Sequence, residues 1–175
     1  MNDLKEIDSF SVNGKKQQLA LSTIFLLIAG LGVAIIFLTK TNTLNNIPVW
    51  CIVLSVFGLI VVHELIHIIF MLIFSKGKIN VSFKFPTIAV GSNAYFNKLQ
   101  YVIIALAPVI ILGILCLICL IVLPYKLLFT ILLILNFASA SGDYILTYYA
   151  IKQKRNVYLM DNANKTIVYK KIEDK

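Results

Sequence analysis

Two histidines and a glutamate within five positions are the residues of this chain best suited to chemistry. His63, Glu64 and His67 form an H-E-x-x-H pattern inside a long apolar stretch. On a helix, side chains four residues apart share one face, so both imidazoles can reach one metal ion while the glutamate stands beside them. Zinc favours imidazole nitrogen, and catalytic zinc sites use three protein ligands plus a water. The pattern predicts one zinc ion bound by both histidines, with Glu64 as general base.

Composition argues against a chance occurrence of this pattern. The whole chain holds two His and three Glu. Random placement would give the five-residue pattern with a probability on the order of 10⁻⁴, a low false-positive risk for so short a motif. The alternative interpretation is a metal-free group of buried polar side chains that hydrogen-bond to one another.

Asp143 is the candidate for a third ligand. It is the only other acidic residue in the long apolar stretches, and a central Asp costs about 2.5–3.5 kcal/mol in a membrane, which marks such residues as functional by default. His67 and Asp143 each precede the end of their stretch by seven residues, at Phe74 and Ala150. At 1.5 Å per residue both lie about 10 Å from the same boundary. We therefore expect Asp143 to complete the site; the alternative is an acid that only pairs helices.

Polar and small residues surround Asp143. Ser139, Ala140, Ser141 and Gly142 precede it, and small residues let helices approach closely in membranes. Asn136 lies one heptad earlier, on nearly the same face. A contact between helices is the favoured role for its amide, and contact with a substrate carbonyl or an oxyanion is the alternative.

These residues together suggest peptide hydrolysis. Zinc lowers the pKa of a bound water to about 7. Glu64 would take the proton of this water as it attacks a peptide carbonyl, and would then return the proton to the leaving amine. The expected substrates are membrane or membrane-adjacent peptides.

The remaining chain must position these groups, and its composition places them in a membrane. The chain is 59% hydrophobic and 14% charged, against about 45–50% and about 25% for soluble proteins. Four apolar stretches reach the roughly 20 residues that a helix needs to cross a bilayer, at residues 19–38, 49–74, 101–123 and 127–150. We predict an all-α integral membrane protein, a single domain over residues 1–175 with four transmembrane helices and a tail at 151–175. The first stretch is expected to be a retained anchor and not a cleaved signal.

The distribution of basic residues predicts the orientation. The net charge is +8, and fourteen Lys and Arg lie before the first stretch, between the second and third, or after the fourth, with two in the other loops. This is the positive-inside pattern, so both termini and the middle loop are expected in the cytoplasm. Because topology accounts for the basicity, no nucleic-acid partner is needed.

Two polar segments show strand patterns. Apolar and polar residues alternate over residues 79–85, and a return strand can follow up to residue 96. Two further short strand-like runs flank a turn within residues 157–169. These patterns predict two small cytoplasmic β-hairpins. The first could hold a substrate as an added strand, or could be a cover lying on the membrane.

Cys116 and Cys119 form a C-x-x-C in the third stretch. We expect them to be small apolar side chains, a disulfide being the alternative.

The chain resembles a bacterial membrane family named putative zincin peptidases. The features that carry the resemblance are HELIH at 63–67, Ala107-Pro108, Ser141-Gly142-Asp143 and the hairpin at 158–169, over about residues 55–170. More distantly it is similar to the site-two protease class, in which H-E-x-x-H lies in a transmembrane helix and an Asp from a later helix completes the site. In that class the Asp precedes a Gly, whereas here Gly142 precedes Asp143. The resemblance implies peptidase activity and a place in a bacterial cell membrane.

Three functions remain open from the sequence. The favoured one is a membrane-embedded zinc endopeptidase. The second is a non-enzymatic zinc-binding membrane protein, such as a degenerate peptidase that binds or protects a partner. The third is a metal or proton transporter, which the absence of a polar relay through the other apolar stretches disfavours. The substrate, its cleavage site, the pathway and the oligomeric state are not specified by the sequence.

Overall fold

The computed structural model describes residues 4–11, 14–38, 47–75, 80–84, 87–154, 156–162 and 165–171. Five helices run through them: α1 Lys15–Leu38, α2 Val49–Ser75, α3 Lys98–Val122, α4 Lys126–Ser139 and α5 Ser141–Lys152. Five strands accompany the helices: β1 Leu4–Phe10, β2 Asn80–Lys84, β3 Thr87–Asn97, β4 Val157–Asp161 and β5 Thr166–Lys171.

All four apolar stretches are helical. Helices α1, α2 and α3 are each long and apolar enough to cross a membrane, and α4 with α5 could form a fourth span that bends by 41°. The stretch predicted as the fourth span, residues 127–150, is thus not one continuous helix, because it is interrupted at Ala140. Ser139, Ser141 and Gly142 around the break are poorer helix formers than Ala or Leu, and Gly/Ser pairs are common sites of helix kinks.

The strands form a single antiparallel sheet in the order β1-β5-β4-β3-β2. Both predicted hairpins are present, as β2–β3 and β4–β5, and they are joined through pairing of β3 with β4. The predicted strand residues Ile79 and Phe85, and Pro86 after them, lie outside the described residues. The fold is thus mostly helical with a small sheet, and is not all-α.

Strand β1 was not predicted from the sequence. It pairs with β5 from Leu4↔Lys171 to Phe10↔Thr166. At its far end, Asp8 accepts hydrogen bonds from Tyr149 Oη at 2.8 Å and Gln153 Nε2 at 3.2 Å. The Tyr149 hydroxyl beside it lowers the pKa of the Asp8 carboxyl. The partners of this strand are distant in sequence, so local patterning gave little signal for it.

One face of the sheet packs on the ends of α2, α3 and α5. The shared core consists of buried apolar residues from strands and helices: Met71, Phe96, Tyr101, Ile104, Ala150, Val157, Leu159 and Val168. Tyr101 Oη also donates to Asp161 Oδ2 at 2.9 Å and lies 2.8 Å from Thr166 Oγ1. Because the sheet contains the N-terminal, middle and C-terminal polar segments, all three lie at the same end of the helices.

Helix α3 is central to the helical part of the fold. It contacts α2, α4 and α5, whereas α1 packs against α4 and α5. The α2–α3 contact is formed by Ile66, Ala107 and Leu112. This contact, close to the sheet, is where the predicted site residues of α2 lie.

Candidate metal centre

Helix α2 presents both histidines on one face. His63 and His67 are four positions apart, and both are buried, with 8% and 9% of their surface exposed. Their ring centroids lie 5.0 Å apart with the ring planes at 75°. This spacing follows from the helix geometry, in which residues four apart are neighbours on the same face. The pair points inward, toward α3 and α5.

Helix α5 brings a carboxylate to the same point. Asp143 Oδ2 lies 3.2 Å from His63 Nε2, and Asp143 Oδ1 lies 3.4 Å from His67 Nε2. The break at Ala140 places Asp143 in the first turn of α5. There the unpaired N–H groups of the helix start favour a negative charge. The interruption that the sequence did not predict thus supports the position of the acid.

These three groups fit a zinc ion. One donor atom from each of His63, His67 and Asp143 lies within 4.8 Å of the others. Two ligands at about 2.0–2.1 Å from a tetrahedral zinc are about 3.4 Å apart, which matches the two His–Asp separations. Two imidazoles and a carboxylate also form the three-ligand set typical of catalytic zinc sites, with a fourth position left for water. The donor chemistry and the spacing both suit the metal.

The two histidines differ in the hydrogen bonding of Nδ1, the ring nitrogen that faces away from Asp143. His67 Nδ1 lies 2.9 Å from the backbone carbonyl oxygen of Ile104 on α3. A carbonyl only accepts, so His67 Nδ1 must carry a proton, and Nε2, on the side of Asp143, is the nitrogen left to bind a metal. His63 Nδ1 is buried and has no hydrogen-bond partner among the described residues. The imidazole of His67 is therefore held at both ends, and that of His63 at one.

The remaining predicted site residues have separate positions. Glu64 follows His63 on α2 and is half-buried; it lies outside the three-donor group. Asn136 on α4 is fully buried, and its Nδ2 donates to the carbonyl of Val109 on α3 at 3.0 Å. The structure therefore shows Asn136 joining two helices. Ile104 was missed by sequence reasoning, since it contributes only a backbone carbonyl.

A known protein family matches the part of the chain that holds the candidate metal centre. Residues 56–158 match the family described as "Putative zincin peptidase". The chain belongs to this family. The matched region runs from within α2 to the start of β4 and contains His63, Glu64, His67, Asn136 and Asp143. No curated protein and no solved structure matches the chain.

Membership of the zincin family bears on two predictions. The family name denotes a zinc peptidase, which agrees with the cofactor and the general activity predicted from the H-E-x-x-H pattern. Strands β1 and β5 and helix α1 lie outside the matched region. The candidate metal centre thus lies within the matched part of the chain.

Proposed function

We propose that this zincin-family protein is a membrane-embedded zinc metallopeptidase. The observation that carries the proposal is the meeting of His63 and His67 of α2 with Asp143 of α5, all donors within 4.8 Å. A glutamate follows the first histidine, as metal-dependent hydrolysis requires. A purely structural zinc site needs no such base, since its four ligands close the coordination sphere.

The residues of this chain would divide the reaction between them. His63, His67 and Asp143 would hold the ion, which when bound supplies a Lewis acid for the attacking water and the peptide carbonyl. The Glu64 carboxylate would accept the proton of that water and pass it to the nitrogen of the leaving amine. Asp143 would bind the ion and also offset part of its positive charge, because it is the anionic ligand of the set.

Water is proposed to reach the site from the end of the helices that carries the sheet. His67 lies eight residues before the end of α2, and Asp143 nine before the end of α5, or about 12 Å and 14 Å along their axes. Fourteen of the sixteen Lys and Arg flank the apolar stretches on this side. The positive-inside pattern therefore supports a site open to the cytoplasm.

A peptide substrate must be extended before its backbone can be cleaved. Strand β2 lies at the edge of the sheet, paired with β3 on one side, and it follows the end of α2 closely in sequence. An edge strand offers free N–H and C=O groups that can bind an extended peptide. We therefore include β2 in the proposal as the place where the substrate is held as an added strand.

Peptide cleavage by purified protein in nanodiscs tests the proposed function. Glu64→Gln should retain zinc but lose at least about 100-fold in cleavage rate, the usual minimum contribution of a general base. Glu6→Gln is the matched control, because Glu6 is exposed on β1, and it should cleave like wild type. Wild-type cleavage by the Glu64→Gln variant would show that Glu64 is not the general base. No cleavage of any peptide in a diverse library by zinc-loaded wild type would favour a non-enzymatic zinc-binding role instead.

The same assay tests the edge strand. Successive N–H groups of β2 face alternately toward β3 and away from it. Of the two single variants Val81→Pro and Ser82→Pro, one therefore loses an N–H that bonds to β3, and the other loses an N–H that faces outward. The variant that keeps the sheet intact by circular dichroism should raise KM and leave kcat unchanged. An unaltered KM in that variant would exclude strand addition at β2.

A further inference from the structure

Helix α3 supplies no side chain to the metal centre, yet it contacts one of the ligands. The carbonyl oxygen of Ile104 lies 2.9 Å from His67 Nδ1, and both residues are buried, with 3% and 9% of their surface exposed. Within an α-helix, each carbonyl normally accepts a hydrogen bond from the N–H group four residues later. For Ile104 that residue is Pro108.

Pro108 has no N–H group, so the Ile104 carbonyl lacks its donor within the helix. The proline ring also crowds the carbonyl four residues earlier and displaces it from the helix axis. Pro108 is fully buried, beside Ala107 in the contact between α3 and α2. In a membrane interior an unpaired carbonyl costs several kcal/mol, and a group from a neighbouring helix commonly satisfies it.

Two unmet requirements are thus resolved by one hydrogen bond. The Ile104 carbonyl needs a donor from outside α3, and a metal-binding imidazole needs an acceptor for the N–H on its other nitrogen. No side chain is required for this arrangement. In the neutral imidazole, this bond leaves Nε2, on the side of Asp143, as the nitrogen that can bind a metal.

We infer that Pro108 is a positioning residue of the metal centre, which frees the Ile104 carbonyl to hold His67 in its metal-binding tautomer. The inference rests on the zinc site proposed above. It also distinguishes the two histidines, since His63 Nδ1 has no such partner among the described residues. Groups that orient a ligand in this way typically change metal affinity by about 10–100-fold when they are lost.

Zinc affinity measured by competition with a chelator is the first test. Pro108→Ala restores an N–H at position 108, so the Ile104 carbonyl can pair within α3 and release His67. We expect the dissociation constant for zinc to rise by about 10–100-fold. Pro124→Ala is the matched control, because Pro124 lies between α3 and α4, and its affinity should equal that of wild type.

Nitrogen NMR of the imidazoles provides a second readout that needs neither zinc nor activity. The chain has two His, so ¹⁵N-histidine labelling of zinc-free protein gives two ring systems, and His63→Ala assigns them. Wild-type His67 should carry a hydrogen-bonded proton on Nδ1, and this signal should shift or vanish in Pro108→Ala. An unprotonated Nδ1 in wild type would overturn the inference even if the variant fails to fold.

The variant data can also overturn it. A Pro108→Ala protein that keeps both the His67 Nδ1 signal and wild-type zinc affinity would show that the proline has no positioning role. If instead wild type bound no zinc but showed the Nδ1–H of His67 and its loss in Pro108→Ala, the proposed function would fail while the link between Pro108 and His67 remained.

Discussion

Helices α1 and α3 are nearly equal in length and apolar character but differ in what surrounds them. They contain 24 and 25 residues, and both could cross a membrane. In the most apolar part of each helix, 6% of α1 is buried inside the protein and 44% of α3. The exposed apolar side chains of α1 suit contact with lipid, whereas nearly half of the corresponding part of α3 is covered by the rest of the protein. Hydropathy therefore shows that a helix can span a membrane but not where it lies in the bundle.

The difference between the two helices comes from a few small or unusual residues. On α3, Ala105, Ala107, Pro108 and Gly113 are buried, and small residues let neighbouring helices approach closely. The carbonyls of Ile104 and Val109 on this helix accept hydrogen bonds from α2 and α4. Helix α1 buries a single residue, Gly32. The central helix is thus marked by buried small side chains and by backbone carbonyls that accept hydrogen bonds from neighbouring helices.

The largest expected difference in stability is between two leucine-to-alanine variants, one on α3 and one on α1. Leu112→Ala on α3, where the leucine is 4% exposed, should lower the free energy of unfolding by about 2 kcal/mol or more, because it leaves a cavity beside Ile66 and Ala107. Leu27→Ala on α1, where the leucine is 68% exposed, should change it by less than about 0.5 kcal/mol. Reversible unfolding in mixed micelles measures both. Equal losses would contradict the central position of α3.

A smaller effect is expected where α1 meets the bundle. A Cβ on Gly32 would lie 2.5 Å from Ile134 Cγ2 on α4, whereas a Cβ on Gly30 would have no heavy atom within 4 Å. Gly32→Ala should therefore cost about 1–2 kcal/mol of stability through overpacking. Gly30→Ala should be neutral or stabilising by up to about 1 kcal/mol, since Ala is the better helix former. The same unfolding assay compares them, and a neutral Gly32→Ala would mean that α1 does not pack closely against α4.

The helical character of the four apolar stretches and the pairing of the two histidines followed from local pattern. Long apolar runs mark helices that can cross a membrane, and a spacing of four residues puts His63 and His67 on one face in any helix. Matching the depths of His67 and Asp143 was enough to predict that they meet, because both helices run in the same direction. These features depend on residues close in sequence or on counting along one axis.

The features that were missed depend on distant parts of the chain. Strand β1 pairs with β5, more than 150 positions later, and β3 pairs with β4 to merge two hairpins. The helix break at Ala140 has no proline to mark it. The role of Ile104 lies in its backbone carbonyl, which has no side-chain signature. The signal that could have found it is Pro108, four residues later, on a helix that packs against the metal-binding histidine His67. Such a signal is physical, but it needs the helix contact to be known first.

Zinc content of the purified protein is the most direct measurement of whether α2 and α5 share one ion. The wild-type chain should bind about one zinc, while His63→Ala, His67→Ala and Asp143→Ala should each lose it, because three ligands are the minimum for such a site. Glu6→Gln, on the exposed face of β1, should retain it. Wild-type zinc content and affinity in the Asp143→Ala variant would contradict the proposal that the two helices hold the metal together.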